Sequence, residues 1–244
     1  WRNAAGEENW RKTVYLLNRG GRFEEHANSF KEGKLANKYK SSLNMYMEKT
    51  ATTKYAATGK NYDGYAKFIP IRNYAQETVE KLTDGYEFSM ITHRNIAQTK
   101  SRTVAAYWLH PLLPENGIII NPKDAQRIGV TEEDSVRVVS ATNTEGQWDF
   151  KNGKTKDIIG KVVISETMRP GVVSFVLGFG HWATGAEDIE IDGETIKGDP
   201  RRARGVHANA AMWTDSSLKN NTCMVDPVGG SVSFYDTQVN LVKV

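Results

Sequence analysis

The stretch Gly117-Ile118-Ile119-Ile120-Asn121-Pro122-Lys123-Asp124-Ala125-Gln126-Arg127-Ile128-Gly129 decides the fold. Three consecutive isoleucines make a short apolar run bounded by turn residues, the pattern of a buried strand. The period then changes. Asn121 fits a helix N-cap, Pro122 the first helical position and Gly129 a left-handed C-cap, so a helix of one to two turns follows the strand. Outward on both sides lie more short β-branched runs. Phe88-Ser89-Met90-Ile91-Thr92 alternates as a strand does. Val136-Arg137-Val138-Val139 and Gly160-Lys161-Val162-Val163-Ile164 read the same way. Pro170-Gly171 turns the chain into Val172-Val173-Ser174-Phe175-Val176, and Val239 to Val244 supplies a last alternating run. Residues 157–164 and 168–177 look like a hairpin pair. Five or six short strands with one small helix between them predict a mainly β protein built on a closed barrel. Residues 183–222 form an excursion with few strand signals, and excursions of this length are often functional.

The composition bounds the rest. The chain has 244 residues, 39% hydrophobic and 25% charged, which is ordinary for a globular protein of one or two domains. A net charge of +3 without a long Lys/Arg stripe argues against nucleic acid as a partner. Cys223 is the single cysteine, so no disulfide forms within the chain and no four-cysteine iron–sulfur cluster is held by it. No apolar run approaches the ~20 residues of a membrane-spanning helix. The chain opens Trp1-Arg2-Asn3-Ala4, without an initiator methionine or leader, which reads as a piece of a longer polypeptide whose export signal would lie upstream. Residues 1–84 are a mixed helical and irregular segment, rich in Lys, Asn, Tyr, Ala and Gly. Asn9 to Leu17 reads as a short helix stopped at Gly20-Gly21, and Ser42 to Glu48 as a second. Residues 85–244 form the barrel domain.

Several segments carry polar or glycine-rich chemistry beside strand ends. Thr92-His93-Arg94-Asn95-Ile96-Ala97-Gln98-Thr99-Lys100-Ser101-Arg102-Thr103 offers guanidiniums, an ammonium, an amide and hydroxyls. That set suits a pyrophosphate and a heterocycle edge, because arginine binds phosphate oxygens bidentately. It also suits a solvated basic loop. Helix capping accounts for Asn121, Pro122 and Gly129, and the helix N-terminus at Asn121 with the adjacent Asp124 carboxylate equally suits contact with a guanine edge. Gly178-Phe179-Gly180-His181-Trp182 follows a strand, and its glycines let the backbone approach a ligand or turn sharply. His181 is either a packed histidine or a ligand contact. Gly198-Asp199-Pro200-Arg201-Arg202-Ala203-Arg204-Gly205 is the densest positive cluster and leads into His207-Ala208-Asn209. The ending Asp226-Pro227-Val228-Gly229-Gly230 precedes the pair Phe234-Tyr235, and Tyr235 packs either at a cofactor or on the last strand.

Taken together, these segments resemble the C-terminal domain of molybdenum and tungsten oxidoreductases of the dimethyl sulfoxide reductase superfamily. Residues 85–244 carry the resemblance in their motifs, and the first 80 carry it more loosely. The superfamily's Thr-x-Arg-x-x-x-(His or Gln)-x-x-(Ser or Thr) segment matches Thr92, Arg94, Gln98 and Ser101, with Gln98 where His is commoner. Asn18 to Phe23 and Ala57 to Gly64 are similar to the tetrathionate, polysulfide and arsenate reductases alike, and the ending Asp226 to Asp236 is most similar to the tetrathionate reductase branch. The resemblance implies a six-stranded double-psi β-barrel. It implies a bis(molybdopterin guanine dinucleotide) cofactor with molybdenum or tungsten in the parent enzyme, and none in the isolated fragment. The contacts carried over are Thr92, Arg94, Gln98, Thr99, Ser101, Arg102, Asn121, Asp124, His181, Asn209 and Tyr235, with no catalytic residue or metal ligand among them. The implied partners are the upstream domains of the same polypeptide, together with two further subunits, one for iron–sulfur electron transfer and one that anchors the enzyme to the membrane. The implied parent is exported and reduces tetrathionate or a related sulfur or arsenic oxyanion in anaerobic respiration. The rival reading is a cofactor-free double-psi barrel acting as a protein- or substrate-recognition module, which has no need for Arg94, Gln98, Asn209 and the Gly178–Gly180 loop to converge.

Overall fold

The computed structural model describes residues 2–18, 26–36, 44–56, 58–79, 83–183, 185–226, 230–233, 235 and 237–244. The expected helix stop at Gly20-Gly21, most of the Asn18–Phe23 motif, Ser42-Leu43, Ala57, Pro227 to Gly229, Phe234 and Asp236 lie outside these residues. The chain falls into two compact units, residues 1–47 and 48–244.

In the first unit, the helix expected over 9–17 is present as Trp10–Asn18, and none of its side chains is buried. Phe30–Lys31 and Lys34–Leu35 pair as a small hairpin. Its two turn residues, Glu32 and Gly33, both have positive φ, which matches the right-handed twist of a two-residue hairpin.

The second unit is built on a closed barrel of six strands: β1 Phe88–His93, β2 Ile118–Ile120, β3 Ser135–Ser140, β4 Ile159–Ile164, β5 Val172–Val176 and β6 Gln238–Lys243. Around the barrel the order is β6-β1-β5-β2-β4-β3. The pairs β1/β5 and β2/β4 are parallel and the other four antiparallel. This crossover arrangement makes it a double-psi barrel. The hairpin expected between 157–164 and 168–177 is not formed. β2 lies between β4 and β5 and bonds to both. A turn signal such as Pro170-Gly171 marks a reversal of direction, and it cannot say which strand fills the space between the two arms.

Alternation explains the core. Phe88 and Met90 of β1, Ile118 and Ile120 of β2, Val136 and Val138 of β3, Val162 of β4, Val173 and Phe175 of β5, and Val239 and Leu241 of β6 are buried in one cluster. Each such side chain contributes about 1.5–3 kcal/mol when removed from water. The helix Pro122–Ile128 follows β2 as expected. Asn121 caps it by accepting from the Lys123 N–H, and Gly129 closes it at φ 71°.

The strand directions sort the connections. Because β1 and β5 run parallel with His93 opposite Val176, their C-terminal ends lie side by side. β2 is antiparallel to β5 and so begins at that end. β4 begins there with β2, and β3 ends there. Accordingly the three long connections, 94–117, 141–158 and 177–237, all open at one end of the barrel. The helix Pro122–Ile128 and the turn 165–171 close the other. Residues 71–79 sit with the long connections: Val79 and Ile71 pack on Trp213 and Met224, and buried Asp215 accepts the Tyr74 N–H at 2.6 Å.

Candidate functional site

Three loops meet at the open end. The first follows β1. Gln98 is buried, and its amide is fully committed. Its Nε2 donates to the Lys100 carbonyl at 3.0 Å and to the Gly178 carbonyl at 2.9 Å, while its Oε1 accepts from Thr103 Oγ1 at 2.9 Å. Gln98 therefore ties the 98–103 turn to the loop after β5. Gly178 is pressed so closely against Lys100 that a Cβ would lie 2.4 Å from its backbone.

The second loop follows β5. Its Gly180 N–H donates to the Arg204 carbonyl at 2.8 Å. A Cβ on Gly180, at φ 68°, would sit 2.3 Å from the His207 nitrogen. Trp182 Nε1 donates to the Gly205 carbonyl at 3.3 Å. The third loop, 198–212, is drawn into the barrel mouth by Val206, which packs on Gly160 and Ile118. Asn116 locks it there. Its Nδ2 donates to the Val176 and Val206 carbonyls at 2.8 and 3.0 Å, and its Oδ1 accepts the Val206 N–H at 2.7 Å. In the helical turn Ala208–Ala211 the alanines at 208, 210 and 211 are buried, which leaves Asn209 facing outward.

The expected site residues divide into groups. Thr92 is the last inward residue of β1, and its Oγ1 is buried without a hydrogen-bond partner. Arg94, Thr99, Ser101, Arg102 and Asn209 are exposed on the loops of the open end. Among the described residues their side chains have no protein partner. His181 lies on the middle loop with a buried, unpartnered Nε2. Tyr235 precedes β6 and is exposed. Asn121 and Asp124 stand at the opposite end. There Asn121 caps its helix and donates to the Met168 carbonyl at 2.7 Å, and Asp124 accepts the Gly171 N–H at 2.7 Å and pairs with Arg127 at 3.1 Å. Both side chains hold the short turn 165–171 to the helix.

Positive charge gathers at the open end. Asp199 is held well below the usual carboxylate range by the Arg201 guanidinium and then by the Tyr107 hydroxyl, which donates to it. Arg201 grips Asp199 through Nε and one terminal nitrogen at 2.7–3.1 Å and lies 3.7 Å over the Tyr107 ring. Burial pushes the Arg204 guanidinium down, with Glu115 opposing. His181 is lowered by burial and then by Arg202. His207 is lowered by burial and by His181, against a hydrogen bond to the Phe179 backbone. The two imidazoles, 6.4 Å apart, are thus neutral donors or acceptors at neutral pH.

Asn116, Tyr107 and Asp199 were not singled out in the sequence. The role of Asn116 depends on Val176 and Val206, sixty and ninety residues away.

The Molydopterin dinucleotide binding domain family matches residues 88–226. Over the whole chain the sequence is 37% identical to a selenate reductase subunit of Mesobacillus selenatarsenatis, of which it covers 23%. It is 23% identical to a tetrathionate reductase subunit of Salmonella typhimurium, over 90% of the chain and 20% of that protein. It is 25% identical to the molybdopterin-containing subunit of the arsenate respiratory reductase of Chrysiogenes arsenatis, over 80% of the chain and 21% of that protein. The chain spans between 16% and 23% of the length of the curated relatives it matches.

Proposed function

The chain belongs to the Molydopterin dinucleotide binding domain family, and from that premise we propose that it holds the molybdopterin dinucleotide of an oxyanion reductase at the open end of its barrel. The observation that carries the reading is the convergence of loops 98–103, 178–182 and 204–209, which are separated in sequence yet joined by Gln98, Gly180 and Asn116. A recognition module has no need of that convergence. The residues present fit such a group: Arg94 and Arg102 suit diphosphate oxygens, and Thr99, Ser101 and Asn209 offer donors and acceptors to a pterin edge. The buried orphan atoms Thr92 Oγ1 and His181 Nε2 lie on the same strand end and loop. When bound, the cofactor, a bis(molybdopterin guanine dinucleotide) in this reading, supplies the redox metal, molybdenum or tungsten. The chain's own work is to bind, orient and exclude water.

For the parent enzyme we propose reduction of a selenium, sulfur or arsenic oxyanion. The 37% identity to a selenate reductase puts selenate ahead of tetrathionate as the first substrate to try. Upstream domains and a separate electron-transfer subunit complete such an enzyme. The test is a pair of substitutions in the full-length parent polypeptide, Arg94→Ala and Lys100→Ala, with pterin content assayed after purification. Arg94 can hold two oxygens through its planar fork, whereas Lys100 is an exposed point charge. Pterin loss confined to Arg94→Ala is expected. Equal retention, or greater loss for Lys100→Ala, overturns the assignment of the loop.

A further inference from the structure

Within the long excursion after β5, residues 187–197 are exposed at every position. They form a two-stranded ribbon, Ile189–Ile191 against Glu194–Ile196, that pairs with no other strand among the described residues. Its turn, Asp192-Gly193, has positive φ at both residues, 52° and 83°, as a two-residue hairpin requires. Its base is clamped. The Gly198 N–H donates to Asp188 Oδ1 at 3.0 Å, the Asp199 N–H donates to the Gly185 carbonyl at 2.8 Å, and Lys154 pairs with Glu187 at 3.1 Å. The two faces of the ribbon differ. Ile189 and Ile196 are directly opposed, and Ile191, two residues on from Ile189, shares their face. All three are about half exposed. A two-stranded ribbon is marginal by itself, and an apolar face of this kind gains from being covered. The charge around it has one sign. Five of the eight residues from Glu187 to Glu194 are acids and none is basic, in a chain of net charge +3. Lys154 and Lys197 occupy Glu187 and Asp188. Among the described residues Glu190, Asp192 and Glu194 have no ion-pair partner. Two such ribbons would set their acidic rims against each other, which disfavours a second copy of the chain. Another domain of the same polypeptide gains little from a charged rim, because tethering already supplies the encounter. A separate protein does gain, since an acidic rim steers a basic surface into contact.

We infer that this ribbon is a docking element for a separate protein subunit, one that presents an apolar patch ringed by lysine or arginine. In the oxyanion-reductase reading above, on which the inference rests, that occupant is the electron-transfer subunit. The ribbon is smaller than a standard interface, so it anchors one part of a larger contact. The experiment uses the full-length parent polypeptide and its purified electron-transfer subunit, with association followed by surface plasmon resonance across a salt series. Glu190→Gln/Asp192→Asn/Glu194→Gln should slow kon about tenfold at low salt and flatten its salt dependence. Ile189→Thr/Ile196→Thr keeps β-branched side chains and should raise Kd at least about tenfold, mainly through koff. Glu166→Gln, which alters an exposed acid on the turn at the closed end, should change neither. The Tm and pterin content of the parent polypeptide alone should be the same in every variant. Unchanged affinity in both ribbon variants, or a kon that rises when the acids are removed, overturns the inference. So does a lowered Tm of the isoleucine variant alone, which would set the ribbon against upstream domains of its own chain. Sedimentation equilibrium covers the second copy: self-association that the isoleucine variant abolishes, with subunit binding intact, also overturns it. These readouts are independent of cofactor retention, so the Arg94 test decides the proposed function separately.

Discussion

Replacing Asn116 by alanine should unfasten the loop that carries His207 and Asn209. The side chain is 2% exposed and makes three hydrogen bonds, all to backbone groups, at 2.7–3.0 Å. A buried neutral hydrogen bond contributes about 1 kcal/mol net, so Asn116→Ala should cost about 3 kcal/mol. For a domain of this size that corresponds to a fall of ~6–12 °C in Tm. Asn116→Asp should be no better: it keeps the acceptor for Val206 but faces a charged oxygen to the Val176 and Val206 carbonyls. Urea unfolding, followed by fluorescence of the buried Trp182 and Trp213, measures the loss, and an unchanged m value shows that stability alone has moved. Hydrogen exchange supplies the local readout, because the Val206 N–H has Asn116 Oδ1 as its acceptor. A loss under about 1 kcal/mol with Val206 still protected would mean that the barrel mouth holds this loop without Asn116, and the reasoning would fail.

Gly180→Ala should destabilise the chain and loosen the 178–182 loop, because its Cβ meets the His207 backbone at 2.3 Å; differential scanning calorimetry and exchange at Gly180 and Trp182 read both effects. Asp124→Ala should cost about 1–3 kcal/mol in urea titrations, since it removes a charged acceptor from the Gly171 N–H. Burial lowers His207, so the unfolded chain binds its proton first: stability is full above the ordinary histidine value of about 6.5 and falls as pH drops below it. Urea titrations from pH 7.5 to 5 should show this fall, and His207→Gln should reduce it, leaving the part carried by His181. Asp134 is depressed to about 2 by Lys243 and the Thr131 backbone, so its contribution is present above the usual carboxylate value and is lost as pH falls towards 2. Asp134→Asn should make the acid limb shallower without abolishing it, because Asp199 and Asp157 are depressed as well.

The sequence by itself determined the local elements and the chemical supply. Period-2 alternation at Phe88, Val136 and Val239, and the Asn121-Pro122…Gly129 punctuation, are backbone preferences acting over a few residues, so these strands and this helix were legible where they occur, whereas the helix expected over Ser42 to Glu48 begins only at Glu48. The polar loop after Thr92 and the arginine run at 201–204 were legible for the same reason. Neighbour relations were not. Pro170-Gly171 pointed to a hairpin, and only the closed sheet shows that β2 occupies the space between its arms. The direction of each strand decides which loops share an end. That fact brings Gln98 to Gly178 and separates Asn121 and Asp124 from Arg94 and Asn209. Asn116 shows why such roles escape a linear reading: its donors and acceptors are backbone atoms of Val176 and Val206, and a hydrogen bond depends on position in space, which chain closure sets and local propensity does not.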